Sequence, residues 1–225
     1  MLLAERRRPS QAPVTVRAKR LVVKRKQFIL WEDTGLSTFE FVTVLMSIVV
    51  GLGIARILSG VSSLIEARRE VELDWVSILW AANVLGYHLL FWWIVVNNWR
   101  FLSEWPFSRF AALFLYGVLI FFCASLILPR QVPKGIDLRA RFESIRRPFF
   151  VLWFLVMCSE ILDSLLKGTD YFLDELGAPY IVLLTVSVLL SIGGILISNR
   201  RFHFTAAIGF FVMYTAWTLG SFATI

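Results

Sequence analysis

The chain has 225 residues, of which 58% are hydrophobic and 17% charged, with a formal net charge of +7. Soluble domains carry about 45–50% apolar and about 25% charged residues, so a water-exposed fold cannot absorb this excess of apolar side chains. The composition excludes a soluble enzyme, a free nucleic-acid binder and a disordered regulator, and it points to an integral membrane protein.

Residues 1–35 form a basic tail. It holds Arg6, Arg7, Arg8, Arg17, Lys19, Arg20, Lys24, Arg25 and Lys26, nine of the 23 Lys and Arg residues. Its longest apolar stretch, Phe28–Trp31, is far too short for a secretory signal. There is no nucleic-acid motif and no stacking aromatic among the charges, so no nucleic-acid partner is expected. The tail reads either as a disordered segment near lipid headgroups or as a start-site artefact. Leu36 followed by Ser37-Thr38-Phe39-Glu40-Phe41 carries the second expectation, that translation begins at Leu36; a product beginning at Met1 would overturn it.

Residues 36–225 then hold six apolar stretches, each near the roughly 20 residues that cross a bilayer as a helix. They are 39–65, 75–99, 110–128, 149–166, 180–198 and 204–222. The breaks between them carry charges, Gly or Pro. The runs are continuous and too long for the strands of about ten alternating residues that build a β-barrel. The fold class predicted is all-α, a polytopic bundle of six transmembrane helices. Trp75 and Trp80 near one end of the second span, and Trp92, Trp93 and Trp99 near the other, suit the headgroup level.

Six spans put both termini on one side. Loops one, three and five carry ten Lys and Arg, loops two and four carry three, and the tail carries nine. The loops alone place the odd loops inside; the tail pulls the other way. Termini outside an inner (plasma) membrane are expected if residues 1–35 are not native.

Small residues recur every fourth position along the first span, at Thr43, Ser47, Gly51, Ala55, Ser59, Ser63 and Ala67, and Gly53 and Gly60 widen the stripe. Such a groove admits a second backbone closely. The sister helix expected in it belongs either to the same chain or to another copy. The span has 27 residues, about 40 Å of helix, so it must tilt or protrude.

Ionisable groups inside the membrane cost about 2.5–3.5 kcal/mol each, and here they are Arg56, His88, Glu160 and Asp163, joined by the neutral Asn83. At about 1.5 Å per residue, Arg56 lies about 9 Å and Asn83 about 11 Å from the odd-loop face. His88 and Glu160 lie about 18 Å from it and Asp163 about 22 Å. Two readings follow. Arg56, Asn83, His88, Glu160 and Asp163 form a polar track for a proton, ion or small solute, with His88 and a carboxylate as relay. Alternatively, an Arg56–Glu160 pair fixes helix register, and His88 bonds a neighbouring span. Glu40 and Lys167 are expected to pair at the opposite face.

No metalloprotease, nucleophile-elbow, phosphate-loop or dinucleotide motif occurs, and Glu160 and Asp163, three apart on one helix, make no facing dyad. No catalytic residue is assigned. Cys123 and Cys158 sit in apolar runs without a CxxC pair or a His/Cys cluster, so free thiols are expected, with no metal and no cofactor. The halves have three spans each, but only Arg56-Ile57-Leu58 against Glu160-Ile161-Leu162, and Phe110-Ala111-Ala112 against Phe204-Thr205-Ala206, hint at an inverted repeat.

The run from Ser37-Thr38-Phe39-Glu40-Phe41 through Gly51-Leu52-Gly53-Ile54-Ala55-Arg56-Ile57-Leu58-Ser59-Gly60, with the Trp-rich second span, resembles a group of uncharacterised bacterial six-helix inner-membrane proteins. The resemblance covers about the first three spans. It implies a bacterial inner-membrane location and supplies no activity, substrate or catalytic residue. The expected role is a non-enzymatic membrane component acting through helix packing with itself or a membrane-protein partner. The alternative is a small transporter or channel using Arg56, His88 and Glu160.

Overall fold

A computed structural model describes residues 37–99, 105–132, 135–168 and 177–222. The described residues form six helices: α1 (Thr38–Glu66), α2 (Trp75–Asn98), α3 (Phe107–Ile127), α4 (Leu138–Lys167), α5 (Gly177–Leu196) and α6 (Arg200–Phe222). Each is long and apolar enough to cross a membrane, and the chain is a multi-pass membrane protein. The basic tail and its start-site question lie outside the described residues. The chain divides after Phe41 into two units, and the architecture below is that of Val42–Ile225.

Helices α2, α3, α4, α5 and α6 pack in sequence, α6 closes back on α2, and α4 also touches α2. Helix α1 buries a narrow face, with Val42, Met46, Val50, Gly53, Ile57, Gly60 and Leu64 at alternating spacings of three and four. That is the narrow seam by which one helix packs on others. Its glycines decide how close it comes. A Cβ on Gly53 would stand 2.0 Å from His88 Nε2 of α2, and one on Gly60 would stand 2.8 Å from the Leu128 Cβ after α3. The two halves of the chain therefore play unequal parts, because α4 lies among three neighbours while α1 covers one side.

Four of the six predicted spans match to within three residues at both ends. The fourth, expected at 149–166, begins eleven residues earlier, at Leu138. Asp137 caps it, accepting from Arg139 N at 2.7 Å and Ala140 N at 3.1 Å. Pro148 lies inside the helix rather than ending it; only the bond its missing N–H would make is forfeited, as spans tolerate. The sixth begins at Arg200 instead of Phe204. Helix α1 opens on an unforeseen capping box: Ser37 Oγ accepts from Glu40 N at 3.2 Å, and Glu40 accepts from Ser37 N.

The core between α2, α4 and α6 is aromatic. The Trp80 ring meets Phe150 edge-on at 4.9 Å and Trp153 at 5.9 Å, and Phe210 lies 5.2 Å from Trp153. Each such pair adds about 0.5–1.5 kcal/mol beyond area burial. Trp80 and Trp99 are both 0% exposed, so they are interior residues and not the headgroup markers expected from their position. Trp75, at 65% exposure, fits that role.

At the odd-loop end, arginines satisfy carbonyls that helix C-termini leave open. Arg141 donates to Leu126 O at 2.6 Å and Ile127 O at 2.9 Å at the end of α3. Arg146 donates to Gly194 O at 2.7 Å and to Ile195 O and Ile197 O at 3.0 Å at the end of α5. Asp74 caps α2 through Ser77 N at 2.9 Å and Ser77 Oγ at 2.7 Å, and it is ion-paired with Arg200 at the start of α6. Burial alone would raise the Asp74 carboxyl; the Ser77 hydroxyl and amide and the Arg200 guanidinium outweigh it and hold Asp74 below the usual carboxylate range. Loops one and three are stitched by Gly135 N to Glu70 O at 3.1 Å and Leu138 N to Glu72 O at 3.3 Å.

Candidate functional site

Glu160 of α4 is 5% exposed and sits among tyrosines. Tyr87 of α2 donates to its Oε2 at 2.7 Å, Tyr116 of α3 donates to the same oxygen, and Tyr180 of α5 donates to Oε1. The Tyr87 and Tyr116 hydroxyls also lie 2.7 Å apart. One carboxyl group thus joins four helices. Tyr214 of α6 adds the fifth: its ring lies 5.5 Å from Tyr87, and its hydroxyl contacts Met157 Sδ at 3.5 Å and accepts from Ser187 at 3.4 Å. A buried carboxyl group is tolerable only when its lone pairs are occupied. Here neutral hydroxyls occupy them, because each tyrosine is rooted in a helix packed on α4 or α2.

One turn further along α4, Asp163 accepts from Trp99 Nε1 at 2.9 Å and from Lys167. The Lys167 ammonium also stands 5.3 Å from the Trp99 ring centre. Glu160, Asp163 and Lys167 descend one face of α4 at spacings of three and four, as i,i+3 and i,i+4 neighbours do.

The remaining predicted polar residues are not part of this group. Arg56 does not bridge to Glu160; it donates to Leu128 O at 2.9 Å and Ser125 O at 3.4 Å, the open carbonyls at the end of α3. His88 bonds its own helix, Nδ1 to Val84 O at 2.7 Å. A carbonyl only accepts, so Nδ1 carries the proton, and Nε2 has no hydrogen-bond partner among the described residues and abuts Gly53. Consecutive helical residues point about 100° apart, so Tyr87 reaches Glu160 while His88 turns to α1. Asn83 donates to Ala207 O of α6 at 2.9 Å. The single track resolves into separate bonds, that of His88 within its own helix and those of Arg56, Asn83 and Glu160 to other parts of the chain, and the His88–Glu160 relay is not formed. Lys167 is engaged by Asp163, and Glu40 by Ser37.

The groove residues fall on the outer side of α1. Gly51, Ala55 and Ser59 are exposed, and nothing lies within 4 Å of a Cβ placed on Gly51. Ser47 is half-buried and accepts from Trp92 Nε1 at 2.9 Å; Ser63 is half-buried too. The close approach within the chain is made by Gly53 and Gly60, the residues that widen the stripe. A cavity of about 400 Å3 between α2 and α6 has Tyr87 and Tyr214 in its wall, along with Gly86, Leu90, Trp93 and Phe211. Cys123 and Cys158 are free thiols, and no cluster of three or more His, Cys, Asp or Glu suited to a metal occurs among the described residues.

Sequence reasoning missed the tyrosines, which carry the site. The chain has five. Four lie in spans and converge here; Tyr171 is outside the described residues. Tyr in a span is expected at the interface, so Tyr87 and Tyr116, near the middle of α2 and α3, were a readable signal for a buried partner. The chain matches no protein-family model, no curated protein and no solved structure.

Proposed function

We propose that this protein is a non-enzymatic component of a bacterial inner membrane that works by helix association with a second copy or another membrane protein. The observation that carries the reading is the division of labour in the bundle. The intramembrane polar groups Arg56, Asn83, His88, Glu160 and Asp163 are each bonded within the fold at separate places. Meanwhile the small-residue face of α1, Gly51, Ala55 and Ser59, stays outward. Small outward residues let a second helix approach to backbone contact, which drives association where lipid competes equally for apolar surface.

Cysteine cross-linking in native membranes tests it, in a chain with Cys123 and Cys158 changed to Ser. Ala55→Cys forms a disulfide-linked dimer or a defined heterodimer, while Leu189→Cys, on the outward face of α5, does not. A monomeric Ala55→Cys chain, or equal cross-linking at both positions, refutes the reading.

A second reading, transport, rests on one observation: Glu160, Asp163 and Lys167 lie in line along α4. Glu160→Gln in reconstituted vesicles, with helicity intact, abolishes proton- or solute-dependent flux on that reading and leaves every flux unchanged on the first.

A further inference from the structure

An apolar groove of about 430 Å3 runs between α1 and α2 on the odd-loop half of the protein. Its walls include Ile57, Val61 and Ile65 of α1 and Ile78, Ala82 and Leu85 of α2. Among the described residues, Arg68 is the sole charged side chain lining it. From Ile57 to the end of α1 at Glu66 is about 14 Å, and from Trp75 to Leu85 about 15 Å along α2. Both are half of the roughly 30 Å hydrocarbon thickness. The groove is therefore as deep as one leaflet. Arg68 stands at its mouth, and the exposed Trp75 marks the headgroup level there.

We propose that the groove holds one chain of an anionic glycerophospholipid, with the lipid phosphate on Arg68. The apolar walls offer water nothing to bond, so a hydrocarbon chain is the occupant that fits them. Arg68 is exposed and donates one N–H to Ile65 O at 3.2 Å. A guanidinium carries five donors in a planar fork, and two parallel bonds to a phosphate suit it better than any other side chain. Glu66 and Glu70 are close in sequence and exposed, but neither lines the groove. A zwitterionic lipid brings a cation beside its phosphate and forfeits part of this attraction.

The full chain is purified in mild detergent, titrated with dioleoylphosphatidylglycerol or dioleoylphosphatidylcholine, and weighed intact in the mass spectrometer. The expected result is one tightly retained phosphatidylglycerol. Arg68→Gln weakens it about fivefold, the equivalent of one basic residue at the membrane surface, and weakens phosphatidylcholine binding by less. Ala82→Trp, which fills the groove from an exposed position, abolishes retention of both lipids. Val61→Phe blocks it from the opposite wall should Ala82→Trp fail to accumulate. Undiminished phosphatidylglycerol retention in both groove-filling variants overturns the proposal, as does equal loss of the two lipids in Arg68→Gln.

Discussion

Replacing Tyr180 by Phe deletes one oxygen, yet it tests the logic of the Glu160 site more sharply than any other single change. The two carboxyl oxygens are not equally served. Oε2 accepts from both Tyr87 and Tyr116, whereas Tyr180 is the donor to Oε1. Tyr87→Phe therefore leaves Oε2 with a partner, and the loss should stay near the ordinary net value of a hydrogen bond, about 1 kcal/mol. Tyr180→Phe leaves a buried carboxyl oxygen with none, which costs about 2–3 kcal/mol. Ser164, 3.4 Å from the Tyr180 hydroxyl, also loses its contact. Removing both partners in Tyr180→Phe/Glu160→Leu should cost less than the two single changes added together, because the orphaned Oε1 and the orphaned Tyr180 hydroxyl go together, while Tyr87 and Tyr116 lose their acceptor equally in Glu160→Leu alone. The coupling energy from that cycle is expected at about 1.5–3 kcal/mol. The assay is reversible unfolding of the purified chain in mixed micelles by increasing dodecyl sulfate, followed by tryptophan fluorescence. If Tyr180→Phe proves no more destabilising than Tyr87→Phe, or the cycle closes with no coupling, the three-donor account of Glu160 is wrong.

The same unfolding assay reads the packing of α1. Gly53→Ala places a methyl 2.0 Å from His88 Nε2 and should cost about 1–3 kcal/mol, part of it regained in Gly53→Ala/His88→Ala. Gly51→Ala meets nothing within 4 Å and should be neutral or stabilise by up to about 1 kcal/mol. Arg146→Gln strips donors from three carbonyls of the α5 terminus and should cost about 3 kcal/mol; Arg146→Lys should rescue little, since an ammonium lacks the fork. Asp74 is held below the ordinary carboxylate range when folded, so it stabilises the protein above its unfolded value of about 3.9, and that contribution disappears as pH falls through the folded value. Asp74→Asn should thus flatten the acid limb of melting temperature against pH; an unchanged limb removes Asp74 as its cause.

The spans were legible because a hydrocarbon solvent demands long apolar runs, and that demand is written locally. Where charges served the fold instead, the reading failed. Residues 138–148 hold Arg139, Arg141, Arg146 and Arg147 and look like a loop, but Arg141 and Arg146 reach across to carbonyls of α3 and α5. Those acceptors lie many residues away, so no local pattern announces them. The same holds at the candidate site. Glu160 and Asp163 stood out as costly residues, but their partners are tyrosines and a tryptophan whose usual place is the membrane surface. Arg56 and Glu160 were expected to bridge a difference in depth of about 9 Å with their long side chains, yet depth says nothing of azimuth, and each turned to a nearer partner. On α1, the stripe of small residues included Gly53 and Gly60, which make the close approach, and its regular four-residue row through Gly51 and Ala55 turns away from it.

The hydroxyls around Glu160 also impose an order on biosynthesis. Domains emerge N-terminus first, so α2 and α3 already lie in the bilayer when α4 leaves the ribosome, whereas α5 has yet to be made. Inserted alone, α4 would carry its acidic side chain into hydrocarbon at a cost of about 2.5–3.5 kcal/mol. Entering beside Tyr87 and Tyr116, it finds two donors waiting, and Tyr180 completes the set afterwards. Two of the three donors to Glu160 thus precede it in the chain, and the third, Tyr180, follows twenty positions later.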